Sequence, residues 1–541
     1  MTDSAAIGTL DSNQHTHHRV IDAIDAWAIK AGDRINPILI KETRQALKSR
    51  QFLVTFSTLL VAALGWTIIG SLSMMPQIYT TPSAPRLLIG YYVLLAIPML
   101  LIVPLAAYRS LEAEIDDGTL ELLSITTLSP WQIVLGKLAS ACLQILLYLV
   151  TLFPCVAYAY TLRGIDLPTL GLIMAALIVT ALTLTVVALS LAPVARGRTG
   201  RISTLLVVMA VLLLAQYLIG FGVVSMILYG NPVPIVLAGY LLFAFTATSA
   251  VVCHLLLTTT AALLTPESEN RSTPIRWSIL ALTITLVTMA AFGIESAGSG
   301  RDANEVAMAT FSLAVILLAG LWTVSGAMFS AESETLTPRI RRELPGNFVS
   351  RMLLTFFTPG PATGLVFSML MIAVVSGAVL FAIETIANNG AVGLANRDRR
   401  LLWDWTIIYS SYLVMFLAAV RWIVAVVRIK NTPRVEIGLA ALIVVAVLSA
   451  LIPYSVGLHW NDYRPYSYSY WQITNWFWTL GLTTSGSLPR DVIPVLVLGA
   501  VAAFLLALAS VGTRALPMRT AMPAAVMEEL AKTRQRSKST S

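Results

Sequence analysis

Residues 52 to 75 read FLVTFSTLLVAALGWTIIGSLSMM, twenty-four positions without a single Asp, Glu, Lys or Arg. A hydrocarbon layer ~30 Å thick is crossed by ~20 apolar residues in a helix, the one open-ended structure that satisfies its own backbone groups in lipid. Eleven further runs of this kind follow, over 87 to 108, 138 to 160, 168 to 192, 202 to 229, 235 to 264, 277 to 294, 305 to 329, 363 to 383, 404 to 427, 437 to 458 and 492 to 512. The expected fold class is an all-α polytopic membrane protein, with about twelve transmembrane helices in two six-helix halves.

Composition agrees. Charged residues are 12% of the 541, against roughly 25% in an average soluble domain. A soluble surface cannot be built from so few charges, and the same apolar composition excludes disorder. Three cysteines, Cys142, Cys155 and Cys253, lie inside apolar runs with no CxxC spacing, and read as small apolar packers rather than a disulfide or metal framework.

The net charge of +8 suggests either a nucleic-acid partner or an uneven distribution of loops across a membrane. The distribution decides for the second. If the chain alternates sides at each run, 28 of the 36 basic residues fall on the side of the two termini. The eight on the other side are Arg86, Arg163, Arg301, Arg397, Arg399, Arg400, Arg464 and Arg490. Both termini are therefore expected to be cytoplasmic, the protein to be integral to the cytoplasmic (plasma) membrane, and no nucleic acid is called for.

The expected organisation is a leader with interfacial helices (1 to 51), a six-span domain (52 to 264), a linker (265 to 276), a second six-span domain (277 to 512) and a basic tail (513 to 541). The leader contains no apolar core, so no signal peptide is expected. In it, Asn36 and Pro37 are a helix start, with Asn as N-cap and Pro at the first helical position. The following ILIKETRQALKSR places Ile40, Thr43 and Leu47 on one side and Lys41, Arg44 and Lys48 on the other. This is an amphipathic interfacial helix suited to anionic lipid, or else an ordinary solvated helix.

The connection between the second and third runs reads LEAEIDDGTLELLSITTLSPWQIVLGK, residues 111 to 137. An acidic run (Glu112, Glu114, Asp116, Asp117) ends at Gly118, a left-handed C-cap that stops a helix. Thr119 can cap a short helix with Leu120 and Leu123 on one face. Ser129, Pro130, Trp131 and Gln132 then form a capping box with Pro at the first position. Such an element can dock another protein, or simply lie on the bilayer.

The run EIDDGTLELLSITTLSPWQIVLGK resembles the signature of ABC-2-type transporter permeases, found between their second and third membrane helices. Glu114 and Asp116 match the acidic pair. Gly118, Thr119, Leu120, Glu121, Leu122 and Leu123 match the core of the signature, and Leu128, Ser129, Ile133, Gly136 and Lys137 match its end. Thr127 departs from the usual proline, with Pro130 three positions later. The segment NPILIKETRQALKSR is similar to the amphipathic entry helix of the same family, and the likeness covers roughly residues 20 to 265. It implies a permease subunit, an exporter, whose segment 111 to 130 couples to a separate ABC-type ATP-binding subunit. It also implies that ATP and Mg sit on that partner, so that this chain carries no cofactor of its own.

The second half repeats six spans without the motif. Its corresponding connection, SAESETLTPRIRRELPGNFVSRMLLTFFTPGPAT (residues 330 to 363), is basic and lacks G-T-L-E. It reads as a degenerate counterpart or as an unrelated membrane extension. A homodimer through the first half and a pseudo-dimer within one chain both fit.

No catalytic set emerges, and no enzyme activity is expected of the chain. The only Gly-Lys pair, Gly136 and Lys137, lacks the upstream glycine and following Ser or Thr of a phosphate loop. His15, His17 and His18 have no partners that would make a metal site, and His254 reads as a satisfied interior histidine. Glu295, Glu384 and Asp404 fall at span ends, which counts against an ion-coupled carrier. Between His459 and Trp478, nine of twenty residues are aromatic. They read as an interfacial anchor, or as an outer gate formed by Trp471, Trp476, Phe477 and Trp478. A twelve-span secondary transporter and a non-transporting membrane scaffold stay open beside the permease reading.

Overall fold

The computed structural model of the protein describes residues 37–76, 78, 81–118, 129–194, 197–229, 235–266, 269–296, 301–333, 347, 354–388, 396–429, 434–464, 466–512 and 527–528. Among these there is no strand. The chain divides into two compact units between Thr265 and Pro266.

The first unit holds α1 (Pro37–Lys48), α2 (Arg50–Ser73), α3 (Ala84–Asp116), α4 (Pro130–Thr161), α5 (Leu167–Leu191), α6 (Gly197–Tyr229) and α7 (Ile235–Leu264). The second holds α8 (Ser272–Ser296), α9 (Arg301–Ser330), α10 (Pro361–Asn388), α11 (Asn396–Val427), α12 (Ile437–Trp460), the short α13 (Trp476–Ser485) and α14 (Val492–Gly512). Twelve of these, all but α1 and α13, are long and apolar enough to cross a membrane, and each corresponds to one of the twelve apolar runs.

Local chemistry sets the helix starts. Ser49 accepts from the Phe52 N–H to begin α2, and the Asp166 carboxylate accepts from the Thr169 N–H to begin α5. At α4 the reciprocal capping box forms between Ser129 and Gln132, with Pro130 in the first turn, as their spacing predicts. Inside α3, Ile97–Ile102 widens to a π-helical turn in which the Val103 N–H reaches back to the Pro98 carbonyl. Pro104 follows at once; its ring would collide with the carbonyl of Leu100 in a regular α-helix, and the wider turn accommodates it.

Within the first unit α3 is central. Tyr91, Leu95, Met99, Tyr108 and Leu111 are fully buried, and most of its apolar window is covered, whereas α2, α6 and α7 are only 11% covered. Leu53, Val61 and Ile69 of α2 and Leu206, Tyr217 and Phe221 of α6 stay exposed, apolar surface of the kind that faces lipid. Close approach of α2 to α3 depends on Gly90: a Cβ there would sit 2.1 Å from the Trp66 indole, whose N–H donates to the Leu87 carbonyl.

Numbering the spans one to six in each unit, the same pairs pack in both. The first meets the second and third, and the second meets the third, fourth and fifth. The third meets the fourth and sixth, and the fourth meets the fifth and sixth. The second half therefore repeats the helix arrangement of the first, although its sequence does not repeat the motif.

Candidate functional site

The described part of the acidic connection stands on the C-terminal end of α3. The helix stops at Asp116, and Gly118 takes φ +66 with its N–H on the Ile115 carbonyl, the left-handed stop expected of glycine here. Thr119, Leu120, Glu121, Leu122 and Leu123 lie outside the described residues, as does Asn36.

Both ends of the connection are tied to one buried cation. Lys137, about two turns into α4, has a side chain 1% exposed. Its ammonium donates to Glu42 Oε1 at 3.2 Å, Ser110 Oγ at 2.8 Å and the Ser110 carbonyl at 3.4 Å, and Glu114 Oε2 lies 3.1 Å away as a second ion-pair partner. The Ser110 hydroxyl in turn donates to Glu42 Oε2 at 3.2 Å, and Lys41 pairs with Glu114 Oε1 at 3.4 Å. A lysine taken out of water is tolerated only with such full compensation. Asp116 pairs with Arg201 at the start of α6. The entry helix α1 and the ends of α3 and α4 are thus bound into one neck below the connection.

Of the singled-out residues, the structure brings Lys41, Glu114 and Asp116 into this neck. Arg44 and Lys48 stay exposed on α1, next to Lys41. Pro37 opens α1. Glu42 was not legible as a site residue, although one signal exists: it is the sole acid in a helix with three bases, and it lies off their face. Ser110 carried no signal.

The second unit ties its corresponding connection differently. Arg276, which the linker reading places between domains, sits inside α8, fully buried. Its guanidinium donates to the carbonyls of Phe356 (2.6 Å), Thr358 (2.7 Å) and Gly360 (3.3 Å) and to Glu332 Oε2 (2.6 Å). Glu332 also accepts from the Gly360 N–H at 2.9 Å and from the Ser272 hydroxyl. The rings of Phe329 and Phe367 flank the guanidinium at 5.1 and 5.8 Å. Here an arginine on the first span holds the backbone that leads into the third.

The aromatic segment packs onto α12. The Trp476 indole donates to the Ala446 carbonyl at 2.8 Å, and Trp478 lies edge-on to Tyr454, Tyr466 and Tyr468. Burial pushes the Tyr468 hydroxyl above its usual pKa, while its hydrogen bond with Thr479 pulls the other way. Trp471 stacks on Trp460 at 4.4 Å, and Phe477 is 71% exposed. Trp476 and Trp478 are thus packed against α12 and neighbouring rings, whereas Phe477, Trp460 and Trp471 form an exposed aromatic rim. His254 is exposed on α7 rather than interior, edge-on to Trp131 at 5.7 Å. Among the described residues no three His, Cys, Asp or Glu side chains gather as a metal site.

Twelve apolar spans in two six-helix units, with charges concentrated at helix ends, define a polytopic integral membrane protein of transporter-like build. Compared with family models, characterised proteins and solved structures, the chain matches none.

Proposed function

We propose that the chain is the membrane-spanning permease subunit of an ABC-2-type transporter, an exporter, powered by a separate ATP-binding subunit docked at residues 111 to 130. The observation that supports this is the ion-paired neck. Glu114 before the connection and Lys137 after it, the outer members of the motif, meet each other and Glu42 of the entry helix. A loop lying idly on a bilayer needs no such brace. A loop that receives a push does, because displacement reaches the spans only if its base is stiff.

ATP and Mg belong to the partner, which supplies the energy. This chain receives the motion at 111 to 130 and passes it through the neck into α3, α4 and α1. Both termini are cytoplasmic in this reading, and the aromatic rim lies on the opposite face.

Purification from membranes tests the reading. A stoichiometric ATP-binding subunit should accompany the chain and be lost in Gly118→Ala and Glu121→Ala variants. A chain that purifies alone and transports without ATP overturns it.

A further inference from the structure

A cavity of about 280 Å³, lined by both polar and apolar side chains, opens beside the neck, where α1 crosses from α4 to α2. Its polar lining includes Gln45 and Ser49 of α1 and the turn after it, Gln51 of α2, Arg109 of α3, and Ser140 and Gln144 of α4. Gln45, Gln51 and Arg109 are exposed at its mouth and Ser140 is buried in its wall, so the recess offers amide, hydroxyl and guanidinium groups to the polar part of an entering ligand.

The charge balance gives the sign of that occupant. Lys137 and Lys41 are neutralised by Glu42 and Glu114. Arg109 has no ion-pair partner among the described residues, and Arg44, Lys48 and Arg50 stay exposed on the same α1–α2 corner. The recess therefore carries a net positive field with a fork-shaped donor at its edge, the geometry that suits a phosphate oxygen pair.

The apolar neighbours give the rest of the molecule. Phe52, Ile102 and Tyr148 continue the cavity wall, and Leu53 and Val54 at the start of α2 are 63% and 57% exposed. A ligand with an anionic head and an attached hydrocarbon tail matches both surfaces at once. We infer that the cavity is a binding site for an anionic phospholipid, with the phosphodiester on Arg109 and the amides of Gln45 and Gln144, and an acyl chain along α2. A lipid held there braces α1 against α3 and α4 beside Lys137 and Glu42, which also line the cavity. The site is independent of what energises the protein.

The test uses the full chain in nanodiscs of phosphatidylcholine alone or doped with phosphatidylglycerol, read by thermal unfolding and by native mass spectrometry of retained lipid. Phosphatidylglycerol should stabilise the parent protein and be retained preferentially. Arg109→Gln should lower that preference about tenfold, as expected for loss of one charge-assisted contact. Gln144→Leu keeps every charge, so it separates loss of the pocket from loss of surface potential, and it should weaken retention as well. Arg163→Gln, away from the cavity, should change nothing. Lipid preference unchanged in both pocket variants overturns the site. So does equal stabilisation by inorganic phosphate in phosphatidylcholine discs, which would make it a site for a soluble anion.

Discussion

Lys137 Nζ lies 3.1 Å from Glu114 Oε2, closing across the twenty-two residues between them the connection that leaves α3 and enters α4. The pair is shared with Glu42, so the cation has more than one compensating charge. Removing Lys137 leaves two carboxylates facing each other in a largely buried site. Lys137→Met is expected to cost roughly 3–5 kcal/mol, as for other broken buried pairs. Lys137→Met combined with Glu42→Gln should recover part of that loss, because one unpaired charge goes with its partner. Thermal unfolding in detergent measures both, and equal destabilisation by the single and double variants would remove the coupling.

Gly118→Ala separates strain from docking. A Cβ at Gly118 meets no atom within 4 Å, so the substitution costs only the left-handed backbone conformation, about 1–2 kcal/mol. The unfolding temperature should fall only by what that local cost predicts. Loss of a co-purifying ATPase in a variant of near-normal unfolding temperature would then report on the connection itself.

The Asp166 cap gives a pH dependence. Partial burial pulls its carboxyl up, but the Thr169 hydroxyl and N–H, at 2.9 and 3.0 Å, outweigh it and hold the group below its ordinary value of 3.8. A carboxyl depressed in the folded state contributes stability above its unfolded pKa and loses it as pH falls through the folded one. Asp166→Ala should cost about 1 kcal/mol at neutral pH. The difference between variant and parent should begin to shrink below pH ~4, where the unfolded carboxyl takes up its proton, and close as the folded cap protonates at lower pH. A difference that stays constant down to pH 3 would contradict this.

Arg276 should not be replaceable by lysine. Four acceptors lie around a planar fork, and a single ammonium on a flexible stem cannot meet them together. Arg276→Lys and Arg276→Met should both open the 354–360 segment to protease, with Met also leaving Glu332 unpaired.

In the aromatic segment, Trp478→Ala removes three edge-on ring contacts and should destabilise the protein by about 3–5 kcal/mol. Phe477→Ala, at an exposed position, should leave stability unchanged. If export falls in Phe477→Ala at normal protein levels, the rim acts on the transport path; unchanged export leaves it an anchor.

The spans were legible because hydropathy over about twenty residues is a one-dimensional property, and each of the twelve runs coincides with an observed helix to within two residues or lies inside it. Their ends were less so. The helix of the second run extends on to Asp116 and that of the third begins back at Pro130, because amphipathic turns beyond the lipid core carry charges that a hydropathy reading assigns to loops. The caps at Gly118 and Ser129 depend on neighbours in sequence and could be read directly. The neck could not. Glu42 and Lys137 are 95 residues apart, and nothing local marks that they meet. Arg276 was hidden for a related reason: an arginine scores as surface until its carbonyl partners are known.

The two units pack the same pairs of spans, yet each fastens the connection between its second and third spans to a different place. In the first unit the fastening is a side chain of the third span, Lys137; in the second it is a side chain of the first span, Arg276. The halves are alike as frames and unlike as levers. A load on the first connection bears directly on α4, whereas a load on the second bears on α8, so equal pushes would set different helices in motion.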